Sequence, residues 1–145
     1  MKSTITGWGK CIPDNVVTND DLATFIDTSD EWIQQRTGVK ERRFCHVNNS
    51  DMATVAGLRA VACAGLKPED IDVVILATCT PDSIVPSAAA HVQQKMECIN
   101  ATAYDVNAAC AGFLYGLEQA KAFVESGLYK NAVVIGSEHI TWLLN

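Results

Sequence analysis

Cys110 is the residue whose setting most suggests chemistry. It lies in Asp105-Val106-Asn107-Ala108-Ala109-Cys110-Ala111-Gly112-Phe113, where a β-type run gives way to a long helix-type run. A thiol at a helix N-terminus faces the positive end of the helix dipole and free backbone N–H groups, so its thiolate is favoured. That makes a nucleophile. The small neighbours Ala108, Ala109, Ala111 and Gly112 would let a substrate carbonyl approach the sulfur, as in the strand-turn-helix elbow of other nucleophiles. The competing reading is a small buried hydrophobe, the commoner fate of a cysteine in apolar surroundings.

Other constellations fail on spacing. Gly7-Trp8-Gly9-Lys10 lacks the third glycine of a dinucleotide loop, since that position is Ile12, and Cys11 follows Gly9-Lys10 where a Walker loop needs Ser or Thr. A turn after a first strand is the expectation there. The six cysteines include no CxxC pair, the closest two, Cys98 and Cys110, being 12 positions apart, which argues against a zinc knuckle and leaves no metal site. Four of the six stand in apolar or Ala-rich surroundings, so free and mostly buried thiols are expected. The sequons at Asn48 and Asn100 would matter only in a secreted protein.

Charge and composition bound the remaining functions. With 11 Lys+Arg against 17 Asp+Glu, a net charge of −6 repels a phosphate backbone, so nucleic-acid binding is not expected. The chain has 145 residues, 48% hydrophobic and 19% charged, enough to bury a core. No apolar run approaches the roughly 20 residues that cross a bilayer, and no signal-peptide core follows Met1, so a soluble, cytoplasmic protein without membrane partners is expected.

The elements that must hold Cys110 follow from periodicity. Residues 3–9 read as a strand, residues 17–35 as a polar, aspartate-capped helical stretch, and Val39 to Phe44 as a basic β-ribbon. Ser50 or Asp51 then caps an Ala-rich helix running to about Ala64. Asp72 to Ala77 is apolar on both faces, the pattern of a central parallel strand covered on both sides. Pro86-Ser87 opens a helix to about Met96, residues 101–106 form a strand, residues 110–126 a helix and residues 131–137 a strand. Phe113, Leu114, Leu117, Ala120 and Val124 are expected to form that last helix's buried face. Strands alternating with helices give an α/β fold with a mostly parallel central sheet flanked by helices, binding ligands beyond the strands' carboxyl ends. The sequence reads as one domain over residues 1–145. Its stop soon after a strand, without a cap or charged tail, suggests a piece of a longer polypeptide.

The segment around Cys110 resembles the active-site segment of β-ketoacyl-acyl-carrier-protein synthase III, a condensing enzyme of the thiolase fold. A second stretch agrees: Thr18-Asn19-Asp20-Asp21-Leu22, Asp27 to Ile33 and Arg36 to Arg43 are similar to the N-terminal signature of that family. Leu76-Ala77-Thr78, Val85-Pro86-Ser87-Ala88-Ala89 and Ala132 to Glu138 fit it as well. The resemblance implies the N-terminal half of a thiolase-like enzyme. Cys110 would take an acyl group from acyl-CoA and pass it to the carbanion formed by decarboxylating malonyl-acyl-carrier protein. The Cys110 backbone N–H would be one oxyanion donor. It further implies that Trp32 stacks on the CoA adenine with Thr28 at the same rim, that Arg36 meets the CoA phosphates beside Thr37, and that Val85 reaches the acyl site of a partner copy in a homodimer. No cofactor is implied, acyl-CoA being a substrate.

Each residue also has an ordinary reading. An isolated Trp is more often core, but Trp32 stands among Asp30, Glu31, Gln34 and Gln35, a setting that suits exposure. Arg36, alone a surface charge, shares a helix face with Trp32 at i+4. Lys40, Arg42 and Arg43 read as a solvated ribbon with a minor role towards CoA phosphates or carrier protein. The family's catalytic His and Asn belong to its second half, and His46, His91 and His139 stand in no matching motif. Rival readings are a thiolase-fold acyltransferase of secondary metabolism with another acceptor, and a non-catalytic acyl-CoA-binding subunit.

Overall fold

The computed structural model describes residues 2–144; Met1 and Asn145, the ends of the expected 1–145 domain, lie outside the described residues. The chain forms two compact units, one of residues 12–46 and one of the residues before and after them.

In the smaller unit, β1 (Asn15–Thr18) and β2 (Glu41–Phe44) pair antiparallel, with Asn15 opposite Phe44 and Thr18 opposite Glu41. Between them lie α1 (Asn19–Ala23) and α2 (Asp30–Thr37). Both helices start as sequence chemistry dictates: the Thr18 hydroxyl accepts the Asp21 N–H at 3.1 Å, and the Ser29 hydroxyl accepts the Trp32 N–H at 3.2 Å. The expected ribbon is present, but Arg42 is not a solvated charge. Its guanidinium donates to Asn19 Oδ1 at 2.7 Å and to the Val17 carbonyl at 3.3 Å, while the buried Asn19 donates to Asp30 at 2.7 Å and to the Val39 carbonyl at 2.8 Å. Arg42 therefore pins the unit's two strands to its helices.

In the larger unit, three parallel strands stand in the order β4 (Thr102–Val106), β3 (Val73–Ala77), β5 (Ala132–Gly136). Every residue of β3 is buried, as its two-faced apolar pattern predicts. Val74, Leu76, Val133 and Ile135 meet α3 (Asn49–Cys63) and α4 (Ala88–Lys95) through Ala53, Val61, Ala88, Ala89 and Val92. The opposite face carries α5 (Gly112–Ser126). Among the described residues no helix is long and apolar enough to cross a membrane.

Three expectations fail locally. Residues 3–9 form no strand. A strand needs a neighbouring backbone, whereas this segment runs against α3, so closely that a Cβ on Gly7 or Gly9 would stand 2.3 Å from the Ala60 or Ala56 carbonyl oxygen. Those glycines serve close packing rather than a turn. Second, α5 does not bury Phe113 and Leu114, which are 44% and 65% exposed. Gly112 and Gly116 face the sheet instead, and a Cβ on Gly116 would meet Val134 Cγ1 at 2.8 Å; the helix sits too near the strands for large side chains on that line. Third, only Cys98 of the six cysteines is buried, because loops and turns rather than strand interiors carry most of the others.

Candidate functional site

The carboxyl ends of β3, β4 and β5 converge, and each contributes one chemically active residue. After β4 the chain turns at Ala108, Ala109, Cys110 and Ala111 before α5 begins at Gly112, so Cys110 occupies a short 3-10 turn and not the first turn of the long helix itself. Ala109 causes this. Its φ of 45° is in the left-handed region that L-residues rarely adopt, and it breaks the regular helical path one residue before the thiol. The Ala111 N–H closes the turn on the Ala108 carbonyl at 3.0 Å, and Cys110 stands exposed at its apex.

The loop after β3 carries Cys79 and continues to Val85. Its opening residues fold around Glu138, which follows β5. One carboxylate oxygen accepts the Cys79 N–H at 2.9 Å and the Cys79 thiol at 3.1 Å. The other accepts the Thr80 N–H and the Thr78 hydroxyl, each at 3.1 Å, and the Thr80 hydroxyl. Partial burial pushes the Glu138 carboxyl up, but these hydrogen bonds outweigh it and hold its pKa below the ordinary carboxylate value. The Cys79 thiol is pushed up, first by its hydrogen bond to Glu138, then by desolvation and by the Glu138 charge.

Asn49, at the start of α3, supports the cluster from beneath. Its buried amide donates to the Thr78 hydroxyl at 2.8 Å and to the Thr80 and Ser137 carbonyls, both at 3.1 Å. Farther along the same loop, Asp82 accepts the Ser50 N–H at 3.2 Å. Asp105, five residues before Cys110, accepts the Ala88 and Ala89 N–H groups at 2.9 and 2.7 Å, capping α4 just after Val85 and Pro86. Val85 itself is 86% exposed.

The remaining sequence candidates, Thr28, Trp32, Arg36 and Thr37, lie in the smaller unit. The i+4 spacing brings Arg36 over the Trp32 ring, its guanidinium carbon 5.2 Å from the ring centroid, and the indole remains 54% exposed. Thr37 closes α2: its hydroxyl donates to the Ile33 carbonyl at 2.8 Å and accepts the Val39 N–H at 3.1 Å. Thr28 is half-buried just before the Ser29 cap. The structure thus joins Trp32 with Arg36 in one unit and holds Cys110 and Val85 in the other.

Sequence reading missed Cys79, Glu138, Thr78, Thr80 and Asn49. Their one available signal is position, since Cys79 and Glu138 each stand two residues past the end of a parallel strand, where such sheets place ligands. Of the histidines, His91 lies on α4, its ring nitrogen 3.1 Å from the Ser83 hydroxyl, and the His139 N–H donates to the Thr80 hydroxyl at 2.9 Å.

The family model that matches, over residues 104–145, is described as 3-Oxoacyl-[acyl-carrier-protein (ACP)] synthase III. A curated relative, the beta-ketoacyl-[acyl-carrier-protein] synthase III 2 of Vibrio cholerae, is 55% identical over 141 residues, covering 97% of this chain and 39% of the relative. The chain thus spans well under half the length of that protein. Among solved structures, 3-oxoacyl-[acyl-carrier-protein] synthase III from Aquifex aeolicus superposes with a TM-score of 0.92 at 46% identity, covering 95% of this chain and 45% of that one. The priming beta-ketosynthase from the R1128 polyketide biosynthetic pathway superposes with a TM-score of 0.90 at 34% identity, covering 94% of this chain and 42% of that one. The thiolase-like α/β class expected from the sequence is borne out.

Proposed function

In sequence and fold the chain corresponds to the N-terminal portion of the β-ketoacyl-acyl-carrier-protein synthase III family, and from that premise we propose that it carries the nucleophile of an acyl-CoA-primed condensation that starts fatty acid synthesis. The observation that carries this reading is the exposed Cys110 on a turn at the carboxyl end of the parallel sheet, flanked by alanines and glycine. Its sulfur attacks the thioester carbonyl of an acyl-CoA, the C–S bond to CoA breaks, and an acyl-cysteine remains. Decarboxylation of malonyl-acyl-carrier protein releases CO2 and leaves a carbanion that attacks the acyl-cysteine. A new carbon–carbon bond forms and the Cys110 thiolate departs. The Cys110 backbone N–H is one donor to the oxyanion.

Trp32 stacks on the CoA adenine with Thr28 at its rim, and Arg36 meets the phosphates next to Thr37. Val85 enters the acyl site of a second copy in a homodimer. Residues 1–145 form the N-terminal half-domain of this enzyme, and the His and Asn that stabilise the decarboxylation transition state come from the half that this chain does not span. The setting is cytoplasmic. The likeness to a polyketide priming enzyme favours a second reading, in which the same acyl-cysteine serves another acceptor.

The test is formation of a β-ketoacyl product from acyl-CoA and malonyl-acyl-carrier protein by the polypeptide carrying this chain, beside its Cys110→Ser variant. Product from the first and none from the second is expected, because a hydroxyl stays protonated where a thiol ionises. Acyl-CoA binding without product would favour the non-catalytic reading.

A further inference from the structure

Cys110 has a second thiol beside it that the acyl-transfer scheme does not use. β3 and β4 are adjacent parallel strands, with Ala77 opposite Val106, and the Thr78 N–H extends the ladder to the Val106 carbonyl at 3.1 Å. Cys79 is the next residue. Continuing that register sets Cys79 opposite Ala108, two residues before Cys110, and the start of α5 comes so close to β3 that a Cβ on Gly112 would stand 3.1 Å from Ala77 Cβ. After Val106 the chain doubles back through the Ala108 to Ala111 turn, which keeps Cys110 near the end of β3. The Cys79 thiol lies within electrostatic reach of both the Ala109 N–H and Cys110, and it donates to Glu138 Oε1 at 3.1 Å. Both cysteines are exposed.

We propose that Cys79 is the resolving thiol of Cys110: when a peroxide oxidises Cys110, the two residues join in an intramolecular disulfide. In the first step the Cys110 sulfur attacks a peroxide oxygen, an S–O bond forms, the O–O bond breaks and the departing hydroxide takes the Cys110 proton to leave as water, giving a sulfenic acid. In the second, the Cys79 sulfur attacks the Cys110 sulfur, the S–S bond forms and the S–O bond breaks. The Cys79 proton leaves with the departing hydroxide as water. The sum is two thiols and hydrogen peroxide going to one disulfide and two waters, so the thiols supply the two electrons that reduce the peroxide. Without a resolving thiol, a sulfenic acid proceeds to sulfinic acid, which ordinary thiols do not reverse. Cys79 converts that loss into a reversible mask. Blockage of acyl transfer by this mask rests on the proposed function; the disulfide itself does not.

The protein is treated with hydrogen peroxide, blocked with N-ethylmaleimide, digested without reduction and mapped by mass spectrometry. A Cys79–Cys110 cross-linked peptide that dithiothreitol restores to two free thiols is expected, and this measurement needs neither a variant nor activity. Cys79→Ser should shift Cys110 from the reversible disulfide to irreversible sulfinic acid, read as a rise, over wild type, in the peptide shifted by about +32 Da. Glu138→Gln, which removes the charge and carboxylate hydrogen bond that hold the Cys79 thiol protonated, should speed formation of the same peptide. The proposal is overturned if Cys110 resists peroxide, if it oxidises without linking to Cys79, or if it pairs with one of the other four cysteines.

Discussion

Glu138→Gln tests whether one carboxylate organises the loop after β3. The native group offers two acceptor oxygens, one taking the Cys79 N–H at 2.9 Å and the other the Thr80 N–H at 3.1 Å. A glutamine supplies one oxygen and one NH2. The threonine hydroxyls and the Cys79 sulfur can turn to accept from that NH2, but a backbone N–H cannot. In either orientation one backbone donor faces another donor. With the amide oxygen kept on the Cys79 N–H, the Thr80 N–H retains the Thr78 hydroxyl as acceptor at 3.1 Å, so of the about 1–3 kcal/mol that a fully orphaned donor costs, a loss of about 1 kcal/mol is expected. For a chain of this size that is a fall in Tm on the order of 5 °C. The pH dependence sharpens the test. The folded-state pKa of Glu138 is depressed, so its contribution is complete above the unfolded carboxylate value of about 4.3 and vanishes as pH falls through the folded value. Thermal or urea unfolding from pH 7 downward should show a gap between wild type and variant that is constant above the unfolded carboxylate value and narrows as pH falls below it. Equal stability at pH 7, or a gap unchanged in acid, would refute the reasoning.

Trp32→Ala and Arg36→Ala should each raise KM for CoA-linked donors with little change in kcat, because both residues would touch the remote nucleotide; steady-state kinetics showing a fall in kcat at constant KM would contradict their assignment. With the small Val85 side chain at the proposed acyl site, acyl groups longer or more branched than acetyl should be accepted, and Val85→Phe should narrow the donor range to short chains. Competition among acyl-CoAs of graded length reads this directly, and an unchanged preference would remove Val85 from the acyl site.

What the sequence makes legible is what local chemistry decides. β3 declares itself by five consecutive apolar residues, and the helices α2 and α4 by the Ser29 and Ser87 caps that accept the Trp32 and Ala90 N–H groups. The position of Cys110 between β4 and α5 is equally plain, although the detour at Ala109 is not, since alanine carries no signal for a positive φ. Non-local partners are illegible for a related reason. Residues 3–9 carry the β-type residues Thr4, Ile5 and Thr6, yet strand formation depends on a partner that local composition cannot reveal. Arg42 reads as a surface charge until Asn19, 23 positions away, proves to be its acceptor. Glu138 meets Cys79 across 59 positions only because β3 and β5 lie side by side in parallel register. Phe113 and Leu114 mislead because apolar spacing marks a stripe without saying how near the sheet will come, and here Gly112 and Gly116 bring the backbone close.

The central claim is that Cys110 is the acyl acceptor. Brief incubation of the protein with an acyl-CoA, followed by intact-mass measurement and peptide mapping, tests it without requiring the complete condensation. One acyl group per chain, located on Cys110 and lost in Cys110→Ser but retained in Cys79→Ser, is the predicted result. An acyl group on Cys79 or on another of the exposed thiols, or an unmodified Cys110 in protein that still binds acyl-CoA, would contradict it.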